Sequence, residues 1–120
     1  MKRILVVEDT EDNRQIIRDL LTSAGYEMIE ALDGEQGVAM AAEHKPDLIL
    51  MDMQLPVLDG YEATRRIKAD PALAHIPVIA VTSYALSGDE AKTKAAGCNA
   101  YVAKPFSPRQ LLAKVREFLG

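Results

Sequence analysis

The stretch DLILMD at residues 47–52 decides how this chain folds. An apolar run of this length, without alternating polar residues, is typical of a strand buried on both faces of a parallel sheet. Its last residue, Asp52, stands just before a loop, and open parallel sheets bind their ligands at that end of their strands. A second apolar run, residues 4–7, is also followed by acid, at Glu8 and Asp9. Two buried strands that both end in carboxylates predict a site for a hard cation.

Length and composition fit a single soluble domain. The chain has 120 residues, of which 48% are hydrophobic, and a formal net charge of -4, which suits one ordered core. The acidic balance argues against direct contact with nucleic acid, which usually binds a basic face. No apolar stretch could span a bilayer, no signal peptide precedes the first strand, and the single Cys98 cannot form an internal disulfide. We therefore expect a cytoplasmic protein with one domain, residues 1–120, no output domain and no membrane contact.

Apolar runs and amphipathic stretches alternate five times along the chain. Strict alternation of strands and helices predicts a parallel sheet with helices on both faces. The predicted strands are Arg3–Val7, Glu27–Ala31, Asp47–Met51, Pro77–Thr82 and Asn99–Ala103. The predicted helices are Glu11–Ala24, Glu35–His44, Tyr61–Ala69, Gly88–Ala96 and Pro108–Leu119.

The polarity of the strands predicts their order in the sheet. The first, third and fourth strands are almost purely apolar and belong in the centre, whereas the second mixes charged and apolar residues and suits an edge. The fifth is short and suits the other edge. The sequence therefore predicts an α/β fold with a doubly wound, five-stranded, flavodoxin-like parallel sheet of order 2-1-3-4-5 and five helices. Its switch point lies between strands one and three, where Asp9 and Asp52 emerge.

Four residues are predicted to mark the ends of helices. Gly25 follows the first helix and is expected to end it in a left-handed conformation. Asp59 precedes Gly60 and a predicted helix, which is typical of an N-terminal cap, and Asp33 before Gly34 is expected to form a turn or a cap. Ser107 precedes Pro108, and this pair predicts a cap followed by proline at the first helical position.

The polar residues at the ends of the predicted strands resemble those of the receiver domain of two-component response regulators. The resemblance covers the whole chain, and the motifs are highly specific as a set although each alone is weak. Glu8 stands where a second aspartate is commoner, and it keeps the charge. Asp12-Asn13 and residues 74–82 are most similar to stand-alone, single-domain receivers of the DivK type, and receivers attached to hybrid histidine kinases look similar. The motifs are Val7-Glu8-Asp9, Met51-Asp52, Leu55-Pro56, Asp59-Gly60, Val81-Thr82 and Lys104-Pro105-Phe106.

The resemblance implies a phosphoacceptor site that contains Mg²⁺. It makes Asp52 the acceptor, since a carboxylate can attack phosphorus and form an acyl phosphate. A divalent cation is implied because it cancels the repulsion between the carboxylate and the anionic phosphoryl group. The resemblance assigns the metal to Asp9, Asp52 and the backbone carbonyl of Gln54, with Glu8 in contact through water.

The resemblance also assigns residues that bind the phosphoryl group and residues that pass on the signal. Lys104 supplies a point charge to one phosphoryl oxygen, and the hydroxyl of Thr82 donates to another. Thr82 and Tyr101 are the implied switch residues. Because Tyr101 alternates with apolar neighbours, a half-buried core aromatic explains it equally well.

These roles imply a single-domain response regulator. A histidine kinase or a histidine phosphotransfer protein would donate the phosphoryl group, and a conformational change would signal to a downstream protein partner. That partner would bind the face formed by helix 4, strand 5 and helix 5. The domain would catalyse only its own phosphorylation and dephosphorylation, so we do not expect a conventional enzyme.

Two other protein classes use a sheet of related topology. A Mg²⁺-dependent phosphatase would have an acid/base aspartate two residues after its nucleophile, where this chain has Gln54, which cannot transfer a proton. A flavin-binding carrier of the flavodoxin type would need a Ser/Thr/Gly-rich phosphate loop after strand one. Residues 8–12 are acidic there and would repel a phosphate. The sequence therefore disfavours both classes.

Overall fold

The computed structural model describes residues 1–83 and 89–120, and in these residues five strands alternate with five helices. None of the helices in this part of the chain has the length and apolar character needed to cross a membrane. The strands are β1 (Arg3–Val7), β2 (Glu27–Ala31), β3 (Leu48–Asp52), β4 (Val78–Thr82) and β5 (Ala100–Ala103). The helices are α1 (Glu11–Ser23), α2 (Gly34–His44), α3 (Gly60–Ala69), α4 (Asp89–Ala96) and α5 (Pro108–Leu119).

The five strands form one parallel sheet in the order β2-β1-β3-β4-β5. The predicted order is confirmed, including the mixed-polarity strand β2 and the short strand β5 at the two edges. In the register, Leu5 of β1 lies between Ile29 of β2 and Ile49 of β3. The carboxyl ends of all the strands therefore point to the same edge of the sheet.

Three predicted strand starts were one residue too early, and β3 also ends one residue later than predicted, at Asp52. Asp47 stays outside β3, and its carboxylate accepts a hydrogen bond from the backbone N–H of Arg3 at 2.8 Å. Asn99 stays outside β5, and its side chain accepts from the N–H of Val78 at 2.9 Å. In both cases a polar side chain next to the strand end bonds to the backbone of a neighbouring strand.

Wherever the structure describes the end of a helix, the predicted and observed boundaries agree to within one residue. α1 ends at Ser23, α2 begins at Gly34 and α3 begins at Gly60. Gly88, the predicted first residue of the fourth helix, lies outside the described residues, and α4 is described from Asp89.

The predicted helix caps are confirmed. Asp33, Asp59 and Ser107 each accept a hydrogen bond from the backbone N–H three residues later, at 2.8, 2.9 and 3.2 Å. Each bond satisfies one of the backbone donors that a helix leaves free at its start. Gly25 follows α1 with a φ of 89°, the left-handed conformation expected of it.

The hydrophobic core has two layers, one on each face of the sheet. Successive residues of a strand point to opposite faces, so Leu5 and Val7 pack with one layer while Ile4 and Val6 pack with the other. α2 and α3 cover the first layer, and α1 and α5 cover the second. The helix residues at the centres of the layers are Ala41, Ala63, Ile67, Ile17, Leu21, Leu111 and Val115.

The loop from β3 to α3 returns very close to the end of β3. A Cβ atom at Gly60 would lie 2.2 Å from the backbone oxygen of Asp52 and 2.7 Å from the Cα of Met53. Only glycine allows α3 to begin against the backbone at this point. This contact fixes the segment that carries Asp52 against the start of α3.

Val57, in the same loop, has a backbone conformation that β-branched residues rarely adopt. Its φ is 68°, and across this residue the N–H of Leu58 donates to the carbonyl of Pro56 at 2.7 Å. The side chain of Val57 is 76% exposed, so packing does little to offset the strain. A left-handed conformation costs a non-glycine residue about 1 to 3 kcal/mol.

Val57→Gly is therefore expected to increase the free energy of unfolding by about 1 kcal/mol, because glycine adopts positive φ without strain although it adds entropy to the unfolded chain. Urea denaturation measures the change. Val57→Ala is the matched control. Because alanine keeps a Cβ atom, this variant should gain less free energy of unfolding than Val57→Gly. A Val57→Gly protein less stable than the wild type would show that the loop is not strained at this residue.

Candidate functional site

The carboxyl ends of β1, β3, β4 and β5 carry the polar residues that the sequence placed in the site. Glu8 and Asp9 directly follow β1, Asp52 and Thr82 are the last residues of β3 and β4, and Lys104 directly follows β5. Parallel pairing brings these ends to one edge of the sheet. The structure therefore gathers residues that are far apart in the sequence.

Three carboxylates form a cluster at this edge. One oxygen from each of Glu8, Asp9 and Asp52 lies within 4.8 Å of the other two. Glu8 and Asp52 are only 2% and 3% exposed, whereas Asp9 faces solvent. Carboxylates this close repel one another when ionised, and burial strengthens the repulsion. Because Mg²⁺ prefers oxygen ligands of this kind, the donor set fits a hard divalent cation.

The ammonium group of Lys104 lies between the two buried carboxylates. Its Nζ donates to Oε1 of Glu8 and to Oδ2 of Asp52, both at 3.0 Å. Burial alone would lower the pKa of Lys104, but the hydrogen bonds with Asp52 and Glu8 outweigh it, so that the pKa is raised. Lys104 therefore stays charged near neutral pH. With all three carboxylates ionised, the negative charge of the cluster exceeds the positive charge of Lys104 by the amount that one divalent cation would neutralise.

Two more donors fix the side chain of Glu8. The backbone N–H of Thr10 donates to Oε2 at 3.2 Å, and Nδ2 of Asn13 donates to Oε1 at 3.3 Å. Together with Lys104, these groups hold the carboxylate on both oxygens. The longer side chain at this position is therefore fixed in place although it is not the commoner aspartate.

The side chain of Gln54 takes part in the site, which the sequence reasoning missed. The prediction used only its backbone carbonyl. In the structure its backbone N–H donates to Oδ1 of Asp52 at 3.0 Å. Its side-chain Nε2 donates to the hydroxyl of Thr82 at 3.4 Å, and its Oε1 accepts from the N–H of Ser83 at 3.3 Å. Gln54 thus links the end of β3 to the end of β4.

Tyr101 lies away from this cluster. It pairs in register with Ala80 and is half-buried, packed against the core layer beside α2 and α3. Its ring also lines shallow cavities between α4, β5 and α5, together with Lys94 and Lys114. This position agrees both with a core aromatic and with a residue that reports on the α4–β5–α5 face.

A comparison with known families identifies the chain. Residues 4–116 match the family model of the response regulator receiver domain. The chain belongs to the response regulator receiver domain family. The predicted family is thus confirmed, and acceptance of a phosphoryl group is a general property of its members. The individual roles of Asp52, Thr82 and Lys104 stay predictions.

Individual relatives support this receiver assignment along nearly the whole chain. The chain is 45% identical over 119 residues to the polar-differentiation response regulator DivK of Brucella anthropi, covering 99% of this chain and 97% of DivK. It is 43% identical to the receiver domain of sensor histidine kinase PA1611 from Pseudomonas aeruginosa PAO1, with a TM-score of 0.92 and 99% and 98% of the two chains covered. That crystal structure has a magnesium ion coordinated in its active-site cleft. Chemotaxis response regulator CheY4 of Vibrio cholerae is 29% identical, with a TM-score of 0.93 and 98% of each chain covered.

The pKa of Asp9 indicates how the cluster affects stability. Although Asp9 faces solvent, partial desolvation of its carboxyl group, followed by the hydrogen bond with Glu8, raises the pKa of Asp9 above its ordinary value. A raised carboxyl pKa means that the folded state binds the proton more tightly than the unfolded state does. The tighter binding of this proton stabilises the fold fully below the pKa that Asp9 has in the unfolded chain. The stabilisation is lost as the pH rises through the pKa that Asp9 has in the folded protein. Near neutral pH, ionised Asp9 therefore destabilises the metal-free fold.

Asp9→Asn is expected to raise the thermal midpoint of the metal-free protein near neutral pH, because the amide removes one repelling charge. The difference from the wild type should shrink as the pH falls through the pKa of Asp9. Mg²⁺ should raise the midpoint of the wild type and have little effect on Asp9→Asn. Thermal scans in chelator and in Mg²⁺ measure both effects. Asp12→Asn, an equal charge change on the exposed side of α1, is the control, and identical behaviour of the two variants would argue against a shared metal site.

Proposed function

We propose that this protein is a response regulator that accepts a phosphoryl group on Asp52 in a Mg²⁺-dependent step and signals to a protein partner. The observation that carries the proposal is the pairing of buried Asp52 with Lys104 at 3.0 Å, inside a cluster of three carboxylates. The site would thus combine a nucleophile, Asp52, with the fixed positive charge of Lys104 and with oxygen ligands for a divalent metal. Membership of the receiver family supports the same conclusion.

Hydrogen bonds to both oxygens fix the carboxylate of Asp52, the proposed nucleophile. The backbone N–H of Gln54 binds its Oδ1, and Lys104 binds its Oδ2. In the proposed step a carboxylate oxygen of Asp52 forms a bond to phosphorus while the bond from phosphorus to the imidazole nitrogen of the donor breaks. The electron pair of that bond stays on the imidazole, and no general base is needed. A histidine kinase or histidine phosphotransfer protein is the proposed donor.

Four residues would hold the metal. Asp9, Asp52 and the backbone carbonyl of Gln54 would bind Mg²⁺ directly, and Glu8 through water. The cluster of carboxylate oxygens and the magnesium ion in the related PA1611 receiver domain support this arrangement. When bound, the metal supplies positive charge between the carboxylates and the phosphoryl oxygens.

Lys104 and Thr82 would bind the phosphoryl group after transfer. The ammonium group of Lys104 already bridges Glu8 and Asp52, so it would be within reach of an oxygen of a phosphoryl group carried by Asp52. The hydroxyl of Thr82 lies at the end of the neighbouring strand and accepts a hydrogen bond from Gln54. To donate to the phosphoryl group, Thr82 would have to move its O–H toward it, and the same hydroxyl oxygen could still accept from Gln54.

The change at Thr82 would be passed to the face formed by α4, β5 and α5. Tyr101 is half-buried on β5, two strand positions before Ala103, the register partner of Thr82. A shift of the β4 end would change the space beside β5, and Tyr101 would change its position in response. The phosphoryl group can only shift the balance between states that already exist, by binding one of them better. A downstream protein would bind the favoured state.

Asp52→Asn is expected to abolish phosphorylation while leaving the fold intact, because asparagine keeps the size of the side chain and lacks the attacking anion. Acetyl phosphate with Mg²⁺ should add one phosphoryl group to the wild type and none to the variant, measured by intact-protein mass spectrometry. Asp59→Asn, a change at a helix cap outside the cluster, is the control and should still be labelled. A label that persists in Asp52→Asn, or that maps to His44 or His75, would refute the assignment.

Thr82→Ala is expected to accept the phosphoryl group but to weaken the response of the α4–β5–α5 face, because the hydroxyl that contacts the phosphoryl group is lost. The measurement is the change in NMR chemical shifts at Tyr101 and Leu111 when beryllofluoride and Mg²⁺ are added. Ser83→Ala keeps the backbone N–H that bonds to Gln54 and should respond like the wild type. A full response in Thr82→Ala would show that the signal leaves the site by another route.

A further inference from the structure

Arg14 is a buried cation behind the acid cluster, and none of the proposed roles uses it. It lies near the start of α1 and is 8% exposed. Its Nη1 donates to the backbone carbonyl of Glu8 at 2.8 Å. That carbonyl belongs to the peptide that joins Glu8 to Asp9, so its orientation governs the directions in which both carboxylates leave the backbone.

Two further carboxylates hold the guanidinium group of Arg14. Its Nε lies 3.3 Å from Oε1 of Glu30 on β2, and its Nη2 forms an ion pair with Glu11 on α1. An arginine side chain presents its donors in a rigid planar fork, so three contacts on different nitrogens fix its orientation. The peptide between Glu8 and Asp9 is thereby tied to an edge strand and to the first turn of α1.

We propose that Arg14 is a positioning residue for the metal site, because it fixes the Glu8–Asp9 peptide and so holds Asp9 where it would bind Mg²⁺ directly and Glu8 where it would contact the ion through water. This inference rests on the proposed function, of which Mg²⁺ binding at the cluster is a part. Mutation of a group that orients metal ligands typically weakens metal affinity about 10- to 100-fold.

Positioning and simple charge predict opposite effects of removing Arg14. A nearby cation repels Mg²⁺, so loss of the positive charge alone would tighten metal binding. Loss of a contact that orients the ligands would weaken it. The sign of the change in affinity therefore separates the two explanations.

Arg18, one helical turn later, provides a matched control. Its Nε donates to Oε2 of Glu30 at 3.0 Å, and its Nη2 lies 3.7 Å from Glu11. It shares both acidic partners with Arg14, but its third contact is with Gln15 and not with Glu8. Removing Arg18 disturbs the same ion-pair network and leaves the Glu8 carbonyl with its donor.

The experiment compares Mg²⁺ binding by the wild type, Arg14→Met and Arg18→Met, using isothermal titration calorimetry, with urea denaturation of each protein alongside. Arg14→Met is expected to raise the Kd for Mg²⁺ about tenfold, while Arg18→Met stays close to the wild type. Both variants should lose stability, because each leaves Glu30 with one partner fewer. Unchanged or tighter Mg²⁺ binding by Arg14→Met, or equal weakening in both variants, would overturn the inference.

A second pair of variants covers the case in which Arg14→Met does not fold. Arg14→Lys and Arg18→Lys keep the charge, but an ammonium carries all its donors on one nitrogen and cannot hold three separated acceptors in the way the guanidinium does. Arg14→Lys should bind Mg²⁺ more weakly than Arg18→Lys, and equal affinities would overturn the inference. A wild type that binds no Mg²⁺ would refute the proposed function itself, whereas failure of this inference alone leaves wild-type binding intact.

Discussion

Repulsion among three carboxylates at one edge of the sheet is the constraint on which the rest of this structure depends. Glu8, Asp9 and Asp52 are brought within 4.8 Å by backbone pairing of β1 with β3, which the apolar core enforces. Lys104 offsets part of the repulsion, since it lies 3.0 Å from both buried carboxylates. The remaining negative charge is stabilised by backbone and side-chain donors around the cluster, and it leaves the site ready for a divalent cation.

Most of the fold could be predicted because it follows from the polarity of whole strands. Purely apolar strands must be covered on both faces, so the central position of β1, β3 and β4 follows from composition, and the 2-1-3-4-5 order satisfies this requirement. The errors occur at strand ends, where single side chains decide the boundary. Asp47 and Asn99 were predicted to begin strands, but each bonds through its side chain to the backbone of another strand. A hydrophobicity pattern contains no information about such bonds.

The site could be predicted only where a family motif marks the residue. Arg14 and the side chain of Gln54 were missed because their roles depend on the rotation of α1 and the path of the β3–α3 loop. Ile16 of α1 is 49% exposed, although it is apolar, whereas Arg14 is 8% exposed. The buried residues of α1 are Arg14, Ile17 and Leu21, so a charged residue takes a buried position that a hydrophobicity pattern would not assign to it.

The same charge balance explains how a small chemical change could alter the whole domain. Lys104 donates hydrogen bonds to two carboxylates, and Gln54 donates to residues at the ends of both β3 and β4. A phosphoryl group on Asp52 would compete for these donors, because each donor can satisfy only a limited number of oxygens. A metal ion would compete with the same donors for the carboxylate oxygens. Any rearrangement must therefore move several groups together, at the ends of neighbouring strands. Since β4 is joined by backbone pairing to β5, the proposed response would reach the edge of the sheet that carries Tyr101.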